Sequence, residues 1–523
     1  MKKISFLFCI SLLYLGSCQR VQEEDPFVKG VANVMEKIAP PKIEGPSILL
    51  TEFSGQLPDA NGTYDFRSDI QAAIDSLSAM GGGHLIFNNT LGSESWIKWT
   101  EVYRCKGPIN LKSNVALGFD PSTVLHFEFA PEAYLGEDGK GVLRRYEGTM
   151  MYSFSPLIYG FNIENVKLYS TSKNGASPII TGDGELWLEW QQVGRKSRID
   201  RGLLPSNMLL KKVNVDGVPV ADRVFNDVKE DFYRPQLFSL YFSKNILVDG
   251  IKFQDSPFWM INPVFCQNLT FQNLILDGKI VNNDGIDPDG CEGVLIQNVL
   301  FDTHDDNIAI KSGRDREARE GVAVEGTEMA KLNSPFIRDG LVGNNKTKHV
   351  FIRNCHFKNH YAICIGSEIG AGAQHIYALD NYALQDVKMG VFLKSNRTRG
   401  GVIEDVYVRN FKINEIGKDA ICIISNYDND STSPYPTMFK NISIENMEVN
   451  HSATGVRIYG WADAVLENIK LKNIHIQSTD SNKPVLEYNF VRDLSLENVS
   501  IGNQQFDYKE SRIVKGENAP QQL

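Results

Sequence analysis

Cysteine is scarce, with 8 in 523 residues, too few for a disulfide scaffold. Basic residues are outnumbered: 54 Lys and Arg face 64 Asp and Glu, a formal charge of −10. That balance excludes a surface built to neutralise nucleic-acid phosphates. Beyond Leu15 no apolar run is long enough to cross a bilayer. Strong compositional bias is missing too, at 42% hydrophobic and 23% charged with 43 Gly and 21 Pro, which excludes collagen-like, coiled-coil and disordered chains. The chain therefore folds, and any basic site in it is local.

At the N-terminus, Lys2 and Lys3 precede a short apolar run, Ile4 to Leu15, and then Leu15-Gly16-Ser17-Cys18. This is the layout of a cleaved export signal. Its last four residues resemble the lipobox of bacterial lipoproteins, which implies a lipidated Cys18. The expected location is the bacterial envelope, periplasmic or on the outer-membrane surface, with membrane contact through the lipid anchor. Losing Lys2 and Lys3 leaves 52 basic against 64 acidic side chains, a mature charge of −12. Residues 19–45, with Glu23, Glu24, Asp25 and Pro40-Pro41, read as a polar linker. Residues 46–510 then form the body and 511–523 a polar tail.

One helix is expected near the start of the body. Ser68 and Gln71 form a capping-box pattern, Ile70, Ala73, Ile74 and Leu77 share a face, and Gly81-Gly82-Gly83 ends it. Helical periodicity then almost disappears and a repeat takes over. Alternating strands recur around an Asn or Asp, as in Asn245-Ile-Leu-Val-Asp249, Leu269-Thr-Phe-Gln-Asn273, Val294-Leu-Ile-Gln-Asn298, Val350-Phe-Ile-Arg-Asn354 and Val406-Tyr-Val-Arg-Asn410. From Asp249 the intervals are 24, 25 and 56 residues, and those ending at Asn473 and Asn498 are 27 and 25. Strand repeats of this period cannot bury a face singly but share a core when stacked; propeller repeats are longer. The fold class predicted is all-β, a single-stranded right-handed parallel β-helix capped by the N-terminal helix. The Asn and Asp belong at the bends, where they tolerate left-handed backbone, and stacked copies would form an amide ladder.

Residues one coil apart in such a fold are spatial neighbours. The densest acidic stretch, Asn282-Asn283-Asp284-Gly285-Ile286-Asp287-Pro288-Asp289, lies 21 and 22 residues before Asp305 and Asp306. Asp284, Asp305 and Asp306 should thus converge, and like charges held together raise a carboxyl pKa toward the range useful for general-acid work. Asp287 and Asp289, in Asp-Pro-Asp-Gly, read as turn formers. Two carboxylates of distinct protonation are what glycoside hydrolysis requires.

With these motifs in view, the chain resembles glycoside hydrolase family 28, the polygalacturonase family. The family's NTD motif stands here as Asn282-Asn283-Asp284 and its GDD motif as His304-Asp305-Asp306, followed by Ile308-Ala-Ile-Lys-Ser-Gly313. GHG stands as Asn359-His360-Tyr361 with Ile365-Gly-Ser-Glu368, and RIK as Phe392-Leu393-Lys394; Gly107-Pro-Ile-Asn-Leu-Lys-Ser-Asn114 and Arg234-Pro235 also match. The resemblance implies Asp305 as general acid, Asp284 and Asp306 as the carboxylates that activate water, and His360 as support for the acid. It also implies that Lys394 binds a sugar carboxylate and that Asn282 and Tyr427 contact substrate. The reaction implied is inverting cleavage of galacturonosyl linkages in pectin by a monomer with no cofactor or metal.

Phe392 replaces the family arginine, so Arg397 and Arg399 are expected to supply that charge, unless the subsite takes a neutral sugar as in a rhamnogalacturonan hydrolase. A charged insertion after Gly313 and an excursion over about 185–232, with Trp187, Trp190, Arg195, Lys196, Arg198 and Arg201, would flank the groove. If they wall off one end, the enzyme is exo-acting. A bridge between Cys355 and Cys364 is compatible with an oxidising compartment. The competing readings are a Ca²⁺-dependent pectate lyase and a noncatalytic glycan-binding solenoid.

Overall fold

Apolar side chains one repeat apart stack in register. Val166, Ile246, Leu269, Val294, Val350, Ile376, Val406, Ile442, Ile469 and Leu494 form one unbroken parallel column, and all are buried. Such a column needs period-2 strands whose inner face is apolar, and the repeat supplies them at every coil. The computed structural model describes residues 25–515, apart from 51–63, 89–101 and positions 122, 137, 173, 175, 386, 430, 431 and 482. Cys18 and the expected export signal lie outside the described residues. The coils form a right-handed parallel β-helix whose main sheet has 25 strands.

Between the strands the chain bends at left-handed Asn and Asp. Asn114, Asn165, Asn245 and Asn268 have φ of 62, 57, 59 and 54°, and each later amide donates to the side-chain oxygen of the one before, at 2.8–2.9 Å. A second ladder joins Asp380, Asn410, Asn446, Asn473 and Asn498 at 2.8–3.1 Å. Each rung satisfies polar groups that would otherwise interrupt the stack.

Helix α1 (Pro26–Met35) corrects the reading of residues 19–45 as a linker. Asp25 caps it, accepting from the Phe27 N–H, and Phe27 and Val34 pack on Leu295, Phe351 and Tyr377 along the flank of the coils. Only glycine fits at position 30, where a Cβ would fall 2.0 Å from the Tyr377 ring. Helix α2 (Arg67–Ala79) buries Ile70, Ala73, Ile74 and Leu77 as the pattern predicts. The capping box does not form: Phe66 occupies the N-cap position without a side-chain bond. Gln71 instead exchanges two hydrogen bonds with the Asn110 backbone, at 2.8 and 3.0 Å, which fastens the helix to the coil it covers.

At the other end, Gln504–Glu510 folds back antiparallel on Leu486–Ile501. Val514–Lys515, expected in the polar tail, pairs with the same strand. The excursion predicted at 185–232 contains helices α3 (Gly184–Asp200) and α4 (Ser206–Asp216), and the insertion after Gly313 opens with α5 (Asp315–Glu320). The Cys355–Cys364 bridge that the compartment would allow does not form: both are separate buried thiols, like the other four described cysteines.

Candidate active site

Register brings the acids together. Ile286 pairs with Ile308 and Asp289 with Lys311, and the Gly285 N–H donates to the Asp306 carbonyl at 2.9 Å, so Asp284 lies one coil from Asp306. The strand Asp306–Ile310 pairs onward with His360–Ile365, and that with Val387–Lys394. Asp284 and Asp306 are 4% and 2% exposed; Asp305, beside them, is half-buried at the surface.

Two buried lysines divide the acids between them. Lys394 holds both oxygens of Asp306, at 3.0 and 2.9 Å. Lys311 sits 3.2 Å from Asp284, 3.4 Å from Glu368 and 3.8 Å from Asp287, with its ammonium 4.2 Å from the Trp259 ring centre. Lys311, Glu368 and Trp259 were not singled out from sequence, although Lys311 and Glu368 lie in the motif strands. Glu368 also meets Arg314 at 3.3 Å. Burial opposes its charge, but Lys311, Arg314 and Arg399 outweigh this and hold its carboxyl well below the usual range.

The carboxyls differ in protonation. Burial, then the neighbouring Asp306 charge, raises Asp305. Burial also drives up both Asp284 and Asp287 around their shared lysine. Neither Asp287 oxygen has a hydrogen-bond partner among the described residues, and Lys311 stands farther from it than from Asp284. An unsolvated anion is the costlier species, so the proton this pair retains belongs on Asp287 and the charge on Asp284. Asp287 and Asp289 are thus not turn residues. Both are fully buried, and Asp289 pairs with Arg145 at 2.9 Å.

The remaining expected residues divide. Asn282 accepts from Arg234 at 2.8 Å, while Arg234 also holds the Pro257 and Val281 carbonyls, fixing the loop that carries Asp284. Tyr427 borders the Lys394 ammonium, whose distance to its ring centre is 5.6 Å. His360 packs on His304, with rings 4.8 Å apart. Its ring nitrogens face Lys388 at 3.3 and 3.4 Å rather than Asp305, and burial, then Lys388 and His304, lower its pKa to about 4. Arg397 and Arg399 do not replace the missing arginine. Arg397 forms a two-pronged pair with Asp463 at 2.7 and 2.8 Å, and Arg399 is buried on Asp315 at 2.6 Å and the Ser367 carbonyl. Phe392 is itself buried among Ala309, Cys364, Met389 and Cys422, small or pliant neighbours that make room for its ring.

Loop elements border the site beside Asn282. The hairpin Val142–Tyr146/Thr149–Ser153 brings Glu147 to Arg314 at 3.0 Å. Tyr146, Glu147, Gln191, Arg195, Asn207 and Asn282 line a cavity of about 80 Å³ there. Trp187, expected on an excursion flanking the groove, is instead fully buried against Phe129, Tyr134 and Trp190. Arg198 and Arg201 are likewise taken up by Glu230. Arg145 and Arg223, which no motif signals, clamp the buried Glu317 of α5 at 3.4 and 2.6 Å.

Fold and site define a right-handed parallel β-helix with a carboxylate cluster on its outer face. The chain belongs to glycosyl hydrolases family 28, whose family model matches residues 213–483. It is 25% identical over 340 residues to a Vitis vinifera protein named "Probable polygalacturonase", covering 64% of this chain and 56% of that one. To the exo-poly-alpha-D-galacturonosidase of Dickeya chrysanthemi it is 27% identical over 177 residues, 33% of this chain and 26% of that one. The chain thus spans about half or less of the length of these curated relatives. Among solved structures, the hyperthermoactive exopolygalacturonase of Thermotoga maritima matches with a TM-score of 0.73 at 27% identity, over 94% of this chain and 100% of that one.

Proposed function

We propose that this chain is an exo-acting, inverting hydrolase of galacturonosyl linkages in pectic polysaccharides or oligosaccharides. The observation that carries the reading is the unequal treatment of three converging carboxylates. Asp306 is paired with Lys394 and Asp284 with Lys311, while Asp305 has no cation on it among the described ion pairs; burial raises Asp305 as it does Asp284, but only Asp305 lacks an ammonium to hold its charge. Asp305 therefore holds the proton that the departing glycosidic oxygen needs. Asp284 and Asp306, each held by a lysine ammonium, are placed to draw a proton from the water that attacks the anomeric carbon from the opposite face. The hairpin and helical excursion that border the site beside Asn282 favour release from chain ends, and the named activities of the relatives favour galacturonan as substrate. Ammonium groups already compensate Asp284 and Asp306, which argues against a Ca²⁺ lyase built on the same acids.

Product analysis on homogalacturonan and on rhamnogalacturonan I tests this. Short products from the outset and an inverted anomer are expected on the former. Asp305→Asn should cut reducing-end release by about 10²–10⁴-fold, the usual contribution of a general acid, with binding retained. Undiminished turnover in that variant would sink the reading, and an ultraviolet-absorbing unsaturated product would replace hydrolysis by elimination.

A further inference from the structure

Arg397 and Arg399 are committed to Asp463 and Asp315, and Lys394 to Asp306, so a uronate beside the acids needs other cations. Lys388 and Lys418 supply them. Lys388 lies on Val387–Lys394 and Lys418 on Val402–Ile424, strands paired through Val387 and Ile416. Gly417 backs onto Lys388, a Cβ there falling 4.0 Å from the Lys388 Cα. His304, His360, Lys388 and Lys418 thus step along the solenoid, one residue per coil at about 4.8 Å. Both ammonium groups lie 6.0 Å from the Tyr361 ring centre, and that of Lys394 lies 5.3 Å from it.

Most lysines on the later coils face a carboxylate: Lys412 meets Glu448, Lys440 meets Glu467, Lys470 meets Glu445 and Lys472 meets Glu497. Lys388 meets His360 and the Tyr361 ring, neither of them an anion, and neither Lys388 nor Lys418 forms an ion pair among the described residues. Like charges gathered on one ring repel unless an anion joins them, and Lys418 is open to solvent and Lys388 half so.

We infer that Lys388 and Lys418 form a carboxylate-binding step of the substrate groove, which takes the uronate groups of a galacturonan chain on the C-terminal side of the catalytic acids. The inference rests on the galacturonan reading above and adds to it the residues that recognise acid sugars in place of the missing arginine.

The test uses the inactive Asp305→Asn protein and calorimetric titration with a de-esterified hexagalacturonate and its methyl-esterified counterpart. Adding Lys388→Gln and Lys418→Gln together should weaken binding of the acid oligomer by about tenfold, as two solvent-facing charge pairs would, and barely change binding of the ester. Lys412→Gln, which removes one positive charge away from the groove, should leave both affinities alone. Unchanged affinity for the acid oligomer in the double variant would overturn the proposal, as would equal losses for acid and ester. If Asp305→Asn itself binds neither oligomer, the galacturonan reading has failed and the inference falls with it.

Discussion

Asp305 and Glu368 lie in one charged cluster, yet their carboxyls are pushed in opposite directions. Asp305 is raised by burial and by Asp306, whereas Glu368 is held down by Lys311, Arg314 and Arg399 against its burial. A depressed folded-state pKa adds stability that is whole above the unfolded value, 4.5 for Glu, and is lost as pH falls through the folded value. Glu368→Gln should therefore unfold about 3 kcal/mol more easily at pH 7, the cost of leaving buried cations short of a partner. The gap from the parent should shrink on acidification to about pH 3. Denaturant melts at the two pH values check this, and a gap independent of pH would assign the loss to packing instead. At this scale the acids were legible and their counter-ions were not. A 22-residue spacing places Asp284 beside Asp306 whatever the side chains do, but whether Arg397 reaches a sugar or reaches Asp463, sixty-six residues on, depends on packing that no local pattern encodes.

Among the elements, the Asn ladders show why the repeat could be read from sequence. Asn446 has φ of 57°, donates to Asn410 at 3.1 Å and accepts from Asn473 at 2.9 Å. One residue type serves both the backbone conformation and the stack, so it recurs at each coil. Asn446→Ala loses both rungs and incurs the left-handed penalty of a Cβ, about 2–4 kcal/mol in all. Asn446→Gly should recover roughly half of that, because glycine accepts the backbone without the bonds. Urea midpoints of the two variants separate these contributions, and equal losses would mean that the backbone conformation costs nothing there. Helix α1 was missed for a complementary reason. It is mostly apolar but only ten residues long and set between acidic and proline-rich stretches, so it reads as linker until Phe27 and Val34 find the flank of the coils. The excursion over about 185–232 was foreseen but not its helices, nor the burial of Trp187, because an aromatic on an excursion and an aromatic under one look alike in sequence.

Across the whole molecule, charge is arranged at two depths. Arg145, Lys311 and Lys394, with the carboxylates they hold, are buried at 0–8% exposure, while Lys388 and Lys418 stand at the groove's open lip. Ionic screening acts on the second group and hardly on the first, since the Debye length of about 8 Å at physiological salt governs charges in water and not charges sealed in protein. Added salt should then separate capture of the polymer from its cleavage. Between about 0.05 and 0.5 M NaCl, well below and well above physiological ionic strength, KM for polygalacturonate should rise severalfold while kcat holds. A matching fall in kcat would place the salt-sensitive charge among the acids. In brine the protein would become an enzyme slow to find its polymer and undiminished once it has it.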